Sequence, residues 1–204
     1  MKTVLFNNQN VVPSKIVCVG RNFVDHIHEL GNAIPDEMVA FNKPNTAISD
    51  ILHSNFGEQL HYEGEICFVI QHGQLSGVGF GLDLTKRGLQ SKLKEKGLPW
   101  ERAKAFDGAA LFSRFVSMDG LVLESLSVEL LINGARVQRG NVTQMMYPPQ
   151  TILQVLNSYT TLDDFDVVMA GTPSGVGEVR SGDVFTGRIL HRGEVIVEKE
   201  WIAR

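Results

Sequence analysis

The sequence predicts a β-rich α+β fold, and three observations carry that expectation. Runs of β-branched and aliphatic residues recur along the chain between Gly or Pro residues, an Asn-Gly pair separates two alternating runs, and helix-type periodicity is confined to two short stretches. The strand-like runs fall at 15–19, 65–70, 128–132, 167–169, 184–190 and 195–198. Asn133-Gly134 lies between Val128-x-Leu130-x-Ile132 and Ala135-x-Val137. Both turn residues tolerate positive φ, so a tight hairpin is expected there. Arg192-Gly193 is placed to turn a second. One helix is expected over 85–96, where Leu89 and Leu93 share a face, Gly97 suits a left-handed cap and Pro99 blocks continuation. Another starts at Pro148-Pro149 and carries Ile152, Leu153 and Leu156. Gly77-x-Gly79-x-Gly81 lacks the spacing and the following helix of a dinucleotide-binding turn, so no nucleotide cofactor is read from it.

Composition narrows the class. A chain of 204 residues with 43% hydrophobic and 21% charged residues can bury its own core, and neither a repeat nor a low-complexity linker divides it. A single catalytic domain over 1–204 is therefore expected. The net charge is −4 and the 19 Lys and Arg are dispersed, so there is no electrostatic footprint for nucleic acid or an acidic membrane. Cys18 and Cys67 each sit inside an apolar run, the ordinary place for a small buried thiol, which fits a reducing cytoplasm. The opening residues turn polar too soon for a signal-peptide core, and no stretch approaches a membrane span.

The chemistry concentrates in two segments. In His61-Tyr62-Glu63-Gly64-Glu65-Ile66-Cys67, strand alternation turns Glu63 and Glu65 to one face and Gly64 to the other. Two adjacent carboxylates repel unless a positive charge stands between them. A hard divalent cation would serve, with Asp83 of Gly81-Leu82-Asp83-Leu84-Thr85 as a third oxygen ligand. On spacing alone a second reading stands beside it, in which the glutamates line a solvated strand face and Asp83 caps a helix. If a cation is bound, an all-carboxylate set favours Mg²⁺, Mn²⁺ or Ca²⁺ over zinc.

The second segment, Val19-Gly20-Arg21-Asn22-Phe23-Val24-Asp25-His26-Ile27-His28-Glu29, leaves a buried strand for a polar stretch. In a helical turn His26 and Glu29 face each other, and a carboxylate beside an imidazole orients the ring and raises its basicity. Two surface histidines near a helix start are the alternative. Residues 31–35 have the composition of a mobile lid.

Taken in order, these stretches resemble the fumarylacetoacetate hydrolase family, and in particular its short acylpyruvase branch. The likeness runs through Val19-Gly20-Arg21-Asn22-Phe23 with His26 and Glu29, Phe41-x-Lys43-Pro44-x-Thr46-Ala47, His61-Tyr62-Glu63-x-Glu65 and Asp83-Leu84-Thr85-x-Arg87. It continues in Lys96-Gly97-Leu98-Pro99-Trp100-x-x-Ala103-Lys104, Asn133-Gly134 and Gly171-Thr172-Pro173-x-Gly175-Val176-Gly177. The resemblance implies a mixed β-roll, a homodimer, and Mg²⁺ or Mn²⁺ held by Glu63, Glu65 and Asp83. It implies catalytic roles for His26, Glu29 and Lys104, and a substrate pocket lined by Arg21, Arg87, Gln90 and Thr172. The sequence departs from the family pattern at Lys86 and Gly88, at Ala109-Ala110, which lacks a proline, and at Ala170. Since the ligand set survives, these changes bear on substrate choice.

The activity implied is cleavage of the C–C bond of an acylpyruvate, a 2,4-dioxo acid, by water activated at His26 and Glu29, with Lys104 meeting the developing negative charge. The runner-up is decarboxylation or keto–enol tautomerisation of oxaloacetate, a 2-oxo acid, on the same site, neither of which needs an attacking water. A non-catalytic binding module for small oxo acids is the third expectation.

Overall fold

A computed structural model describes residues 1–29, 31 and 35–204. Two antiparallel-rich sheets face each other across the main core. The larger runs in the order Val116–Ser117, Gln74–Asp83, Gly64–Gln71, Val167–Met169, Lys15–Gly20, Val39–Pro44, with Ala110–Phe112 also paired to Gln74–Asp83. Val167–Met169 pairs with Lys15–Gly20 in parallel. The second sheet is antiparallel, in the order Ala135–Asn141, Leu126–Ile132, Val184–His191, Glu194–Ile202, two hairpins joined through their first strands. Among the described residues helices are few, the longest being Arg87–Glu95 and Pro149–Asn157. No helix of the described residues is long and apolar enough to cross a membrane.

Both expected hairpins form. Ile132 pairs with Ala135 and His191 with Glu194. The turn residues have φ of 51° and 80° at Asn133-Gly134, and 52° and 85° at Arg192-Gly193, the doubly left-handed geometry whose twist suits adjoining strands. The six strand-like runs are all strands, the last of them, expected over 195–198, running from Glu194 to Ile202.

Two expectations are corrected. The helix expected over 85–96 starts only at Arg87, because Thr85–Lys86 forms a short strand against Leu60 and His61. Asp83 is thus a strand terminus rather than a helix cap. The glycine-spaced segment, read only as a failed nucleotide motif, is the ten-residue central strand Gln74–Asp83. Val78, Phe80 and Leu82 point into the main core. On the other face a Cβ at Gly77 would lie 2.6 Å from the Phe6 ring, at Gly79 2.8 Å from the Phe115 ring and at Gly81 2.5 Å from Cys67 Sγ. Neighbouring side chains fill the space that side chains of this strand would take, which removes the alternation a sequence pattern relies on.

This second face positions the site. Along Gly64–Gln71, Ile66, Phe68 and Ile70 join the main core, whereas Cys67 and Val69 join a smaller cluster with Cys18, Met169 and Phe112. Glu63 and Glu65 share the parity of Cys67, and Asp83 that of Gly81, the partner of Glu65. All three carboxylates therefore emerge on one face at one end of the hairpin. Both cysteines are free, and burial first, with nearby carboxylates second, pushes their thiols well up, as expected of inert packing groups. The lid expected at 31–35 rests on Asn32, Ala33 and Ile34, which lie outside the described residues.

Candidate active site

The acidic cluster follows from strand register. The Asp83 N–H donates to the Glu63 carbonyl at 2.9 Å, which sets the two residues opposite each other, and Glu65 is two residues further along. Donor oxygens of Glu63, Glu65 and Asp83 all lie within 4.8 Å of one another, and all three residues are buried. Glu65 Oε2 accepts the Gly171 N–H at 2.7 Å. Burial, then the charges of Asp83 and Glu63, push the Glu65 carboxyl well above the usual range. Glu63 goes the other way: burial opposes its charge, but Lys104 and Arg87 outweigh that and hold it well below the usual range.

Lys104 is 2% exposed and commits all three N–H groups, to Glu63 Oε2 at 2.6 Å, Asp83 Oδ2 at 2.7 Å and Thr85 Oγ1 at 2.6 Å. Despite burial, the Asp83 and Glu63 charges raise its pKa, so it remains an ammonium. Arg87 pairs with Glu63 Oε1 and donates to Gln90 Oε1 at 2.8 Å.

His26 lies in the helix Val24–Glu29, and its Nδ1 is 3.0 Å from Glu29 Oε2. A carboxylate only accepts, so Nδ1 carries the proton and Nε2 is the nitrogen free to exchange one. Glu29 Oε1 is itself fixed by the Gly175 N–H at 2.9 Å. Glycine is required there: φ is +99° and a Cβ would collide with the Val137 carbonyl.

Of the ten residues singled out from the sequence, nine line one cleft: Arg21, His26, Glu63, Glu65, Asp83, Arg87, Gln90, Lys104 and Thr172. Glu29 reaches it through His26. Thr172 is more committed than expected, since its hydroxyl donates to the Gly64 carbonyl at 2.9 Å and accepts from Gln138 Nε2 at 2.8 Å. Arg21 follows the Lys15–Gly20 strand with φ of 56°.

Sequence reasoning missed Lys43, Gln138 and Asn22 as site-building residues. Lys43 has no exposed surface, and its Nζ lies 2.8 Å from Asp83 Oδ1. The available signal was a lysine on the same strand parity as Phe41. Gln138 ties the Gly64 N–H to Thr172 and Pro173. Asn22 ties the Ala170 carbonyl to the backbone of Tyr147.

The donor set fits a hard divalent cation. It is all oxygen, it converges, and the buried Asp83 Oδ1 receives no hydrogen bond, its Lys43 contact being an ion pair without hydrogen-bond geometry.

A family model described as the fumarylacetoacetate (FAA) hydrolase C-terminal domain matches residues 15–199. The chain belongs to the fumarylacetoacetate hydrolase family. It is 37% identical over 191 residues to the oxaloacetate tautomerase YcgM of Escherichia coli, covering 85% of this chain and 87% of that protein. It is 34% identical over 184 residues to the mitochondrial oxaloacetate tautomerase FAHD1 of Homo sapiens, covering 82% and 83%. Among solved structures, it superposes on a Pseudomonas aeruginosa fumarylpyruvate hydrolase, in complex with Mn²⁺ and pyruvate, with a TM-score of 0.87 and 27% identity over 100% of this chain and 96% of that one.

Proposed function

We propose that this protein is a divalent-cation-dependent oxaloacetate keto–enol tautomerase. The observation that carries the reading is the 37% identity, over most of both chains, to an oxaloacetate tautomerase, joined to a cleft that holds a proton-exchanging imidazole beside an oxygen-ligand cluster. On this reading the acylpyruvate cleavage expected from the sequence comes second. The likeness to the fumarylpyruvate hydrolase favours that second reading at lower identity.

Glu63, Glu65 and Asp83 would hold Mg²⁺ or Mn²⁺, which supplies Lewis acidity toward the 1-carboxylate and 2-oxo oxygens of the substrate. The charge balance suits a dicarboxylate. Two of the three carboxylates, Glu63 and Asp83, are in direct ion-pair contact with three cations, Lys43, Lys104 and Arg87, and Glu65, ionised as a ligand, would complete a set of three negative and three positive charges. A divalent ion adds two positive charges to that neutral set, and ionised oxaloacetate carries two negative ones.

In the enol-to-keto direction the substrate's O2 proton leaves to solvent. A proton first taken up from solvent at His26 Nε2 is delivered to C3, the C2=C3 electron pair forms the new C–H bond, C2–O2 closes to a carbonyl, and the imidazole is left in its Nδ1–H form. His26 is then reprotonated from solvent, and the reverse reaction uses the same atoms. Glu29 holds the tautomer and orientation of His26 throughout. Lys104, with its three N–H groups committed, contributes charge near O2 rather than a proton.

The test is to supply the Mg²⁺-loaded protein with enol-oxaloacetate and, separately, with acylpyruvates, following enol absorbance and products by NMR. Acceleration of enol disappearance with oxaloacetate retained is expected. Acylpyruvate cleavage without that acceleration would reverse the order of the two readings.

A further inference from the structure

Helix Arg87–Glu95 presents one stripe of side chains to the cleft. Arg87, Gln90 and Lys94 stand at i, i+3 and i+7, a spacing that brings them to one helix face, and all three line the cleft. The stripe begins at Arg87, bound to Glu63, and ends two turns later at Lys94, about 10 Å along the axis at 1.5 Å per residue. There the Lys94 ammonium lies 4.8 Å from the centre of the Trp100 ring, which lines the cleft as well.

Lys94 differs from the two lysines of the acidic cluster in its company. Lys43 and Lys104 each contact a carboxylate, whereas among the described residues none pairs with Lys94. The cleft's acidic groups are engaged elsewhere: Glu63 with Arg87 and Lys104, Asp83 with Lys43 and Lys104, Glu65 with Gly171, Glu29 with His26 and Gly175. Burial, then the charges of Arg21, Arg87 and Lys104, hold the Lys94 ammonium down to about 8, with Glu63 the opposing influence. A half-buried cation among cations, resting on an aromatic face, is an energetic cost that an incoming anion removes.

Resting on the reading of the cleft as a 2-oxo-acid site, we propose that Lys94 is the specificity-determining residue that receives the second carboxylate of a dicarboxylic 2-oxo acid. The carboxylate and oxo group at one end of the substrate lie toward Glu63, Glu65 and Asp83, and the far carboxylate lies along the helix stripe toward Lys94 and Trp100. The long lysine stem lets the ammonium follow acids of slightly different length, while an uncharged group at that end leaves it unpaired. Discrimination between dicarboxylic and monocarboxylic oxo acids is thus placed on the helix, away from the groups that move the proton.

The test uses ligands that cannot turn over. Malate and 2-hydroxybutanoate share the chelating end and differ in a carboxylate against a methyl at the other. Their binding to the Mg²⁺-loaded protein is measured by titration calorimetry. Lys94→Met, which keeps an apolar stem on Trp100, is expected to weaken malate about ten- to hundredfold, the equivalent of one charge-assisted hydrogen bond. It should leave 2-hydroxybutanoate within about twofold, which also reports an intact fold. Lys94→Arg should retain the preference for malate. Equal losses for both ligands, or no loss for either, would overturn the proposal. Selective loss of malate in a protein that fails to tautomerise oxaloacetate would leave the anchor standing and remove the tautomerase reading. Normal turnover with unaltered malate binding in Lys94→Met would do the reverse.

Discussion

Glu63 and Asp83 face each other at one end of the Gly64–Gln71/Gln74–Asp83 hairpin, the Asp83 N–H on the Glu63 carbonyl at 2.9 Å, and Lys104 Nζ joins their carboxylates at 2.6 and 2.7 Å. Backbone register, rather than a loop, therefore sets the spacing of the acidic cluster, so a ligand can be altered without moving its neighbours. Asp83→Asn preserves shape and removes one charge. Mn²⁺ affinity is expected to fall at least about tenfold, and stability by about 3 kcal/mol, because Lys43 and Lys104 lose their shared counter-charge in a buried place. Titration calorimetry with Mn²⁺ and denaturant melts read the two effects separately. Undiminished Mn²⁺ affinity in this variant would mean that the ion binds elsewhere.

The Glu29–His26 contact carries a second prediction. Glu29→Gln keeps the length of the side chain, but its amide can turn an N–H toward Nδ1, allowing the wrong tautomer. Oxaloacetate tautomerisation should slow by about a hundredfold or more, with Mn²⁺ affinity unchanged. A variant that tautomerises at the wild-type rate while losing acylpyruvate cleavage would assign the pair to activating water.

How much of this was legible in the sequence depends on how locally each feature is encoded. The hairpins at Asn133-Gly134 and Arg192-Gly193 were, since a two-residue turn with two positive φ values needs only its own residues. The Gln74–Asp83 strand was not, because Gly77, Gly79 and Gly81 are explained only by Phe6, Phe115 and Cys67, two of them distant in the chain. Strand parity put Glu63 and Glu65 together; that Asp83 joins them depends on hairpin register, which the missed strand concealed. Lys43, noted only as part of the family pattern, was not read as a site residue because a lysine in a polar-looking run reads as solvated until its strand is found buried against Asp83. Lys94 was accessible in principle, being one helical turn beyond Gln90 and two beyond Arg87 on a helix the pattern already indicated.

Asp166 carries a prediction about stability. It has no exposed surface and accepts from the Ser14 and Lys15 backbone N–H groups at 2.9 and 3.1 Å, the Ser14 hydroxyl at 2.7 Å, the Lys15 ammonium at 2.5 Å and the Asp163 N–H at 3.0 Å. These bonds clamp the start of the Lys15–Gly20 strand to that of Val167–Met169. Burial alone would raise its pKa, but the Lys15 and Ser14 hydrogen bonds prevail and lower it. A folded-state pKa below the unfolded value of about 3.9 means that the stabilisation is fully present above about pH 4 and is lost as the pH falls through the folded value. Asp166→Asn should cost about 2–4 kcal/mol at neutral pH, and its deficit relative to wild type should shrink on acidification below about pH 4. A deficit that stayed constant into acid would show that the clamp does not depend on the charge.

The last prediction concerns the pH dependence of ligand choice. Lys94 is held down to about 8, first by burial and then by Arg21, Arg87 and Lys104. An anion binds the ammonium and not the amine, so protonation must precede or accompany capture of the second carboxylate. Absolute affinities would mix this with titration of the acidic cluster, where Glu65 is raised. The ratio of malate to 2-hydroxybutanoate affinity cancels it, because both ligands present the same end to that cluster. The ratio should be high near pH 7 and fall, by at most about tenfold per pH unit, once the pH exceeds about 8. Lys94→Arg, whose guanidinium stays charged throughout, should hold the ratio level over the same range. Calorimetry in Mg²⁺ across this interval reads both curves. A wild-type ratio as level as that of the arginine variant would mean that the second carboxylate is not received by a titrating lysine, whatever the protein does with its substrate.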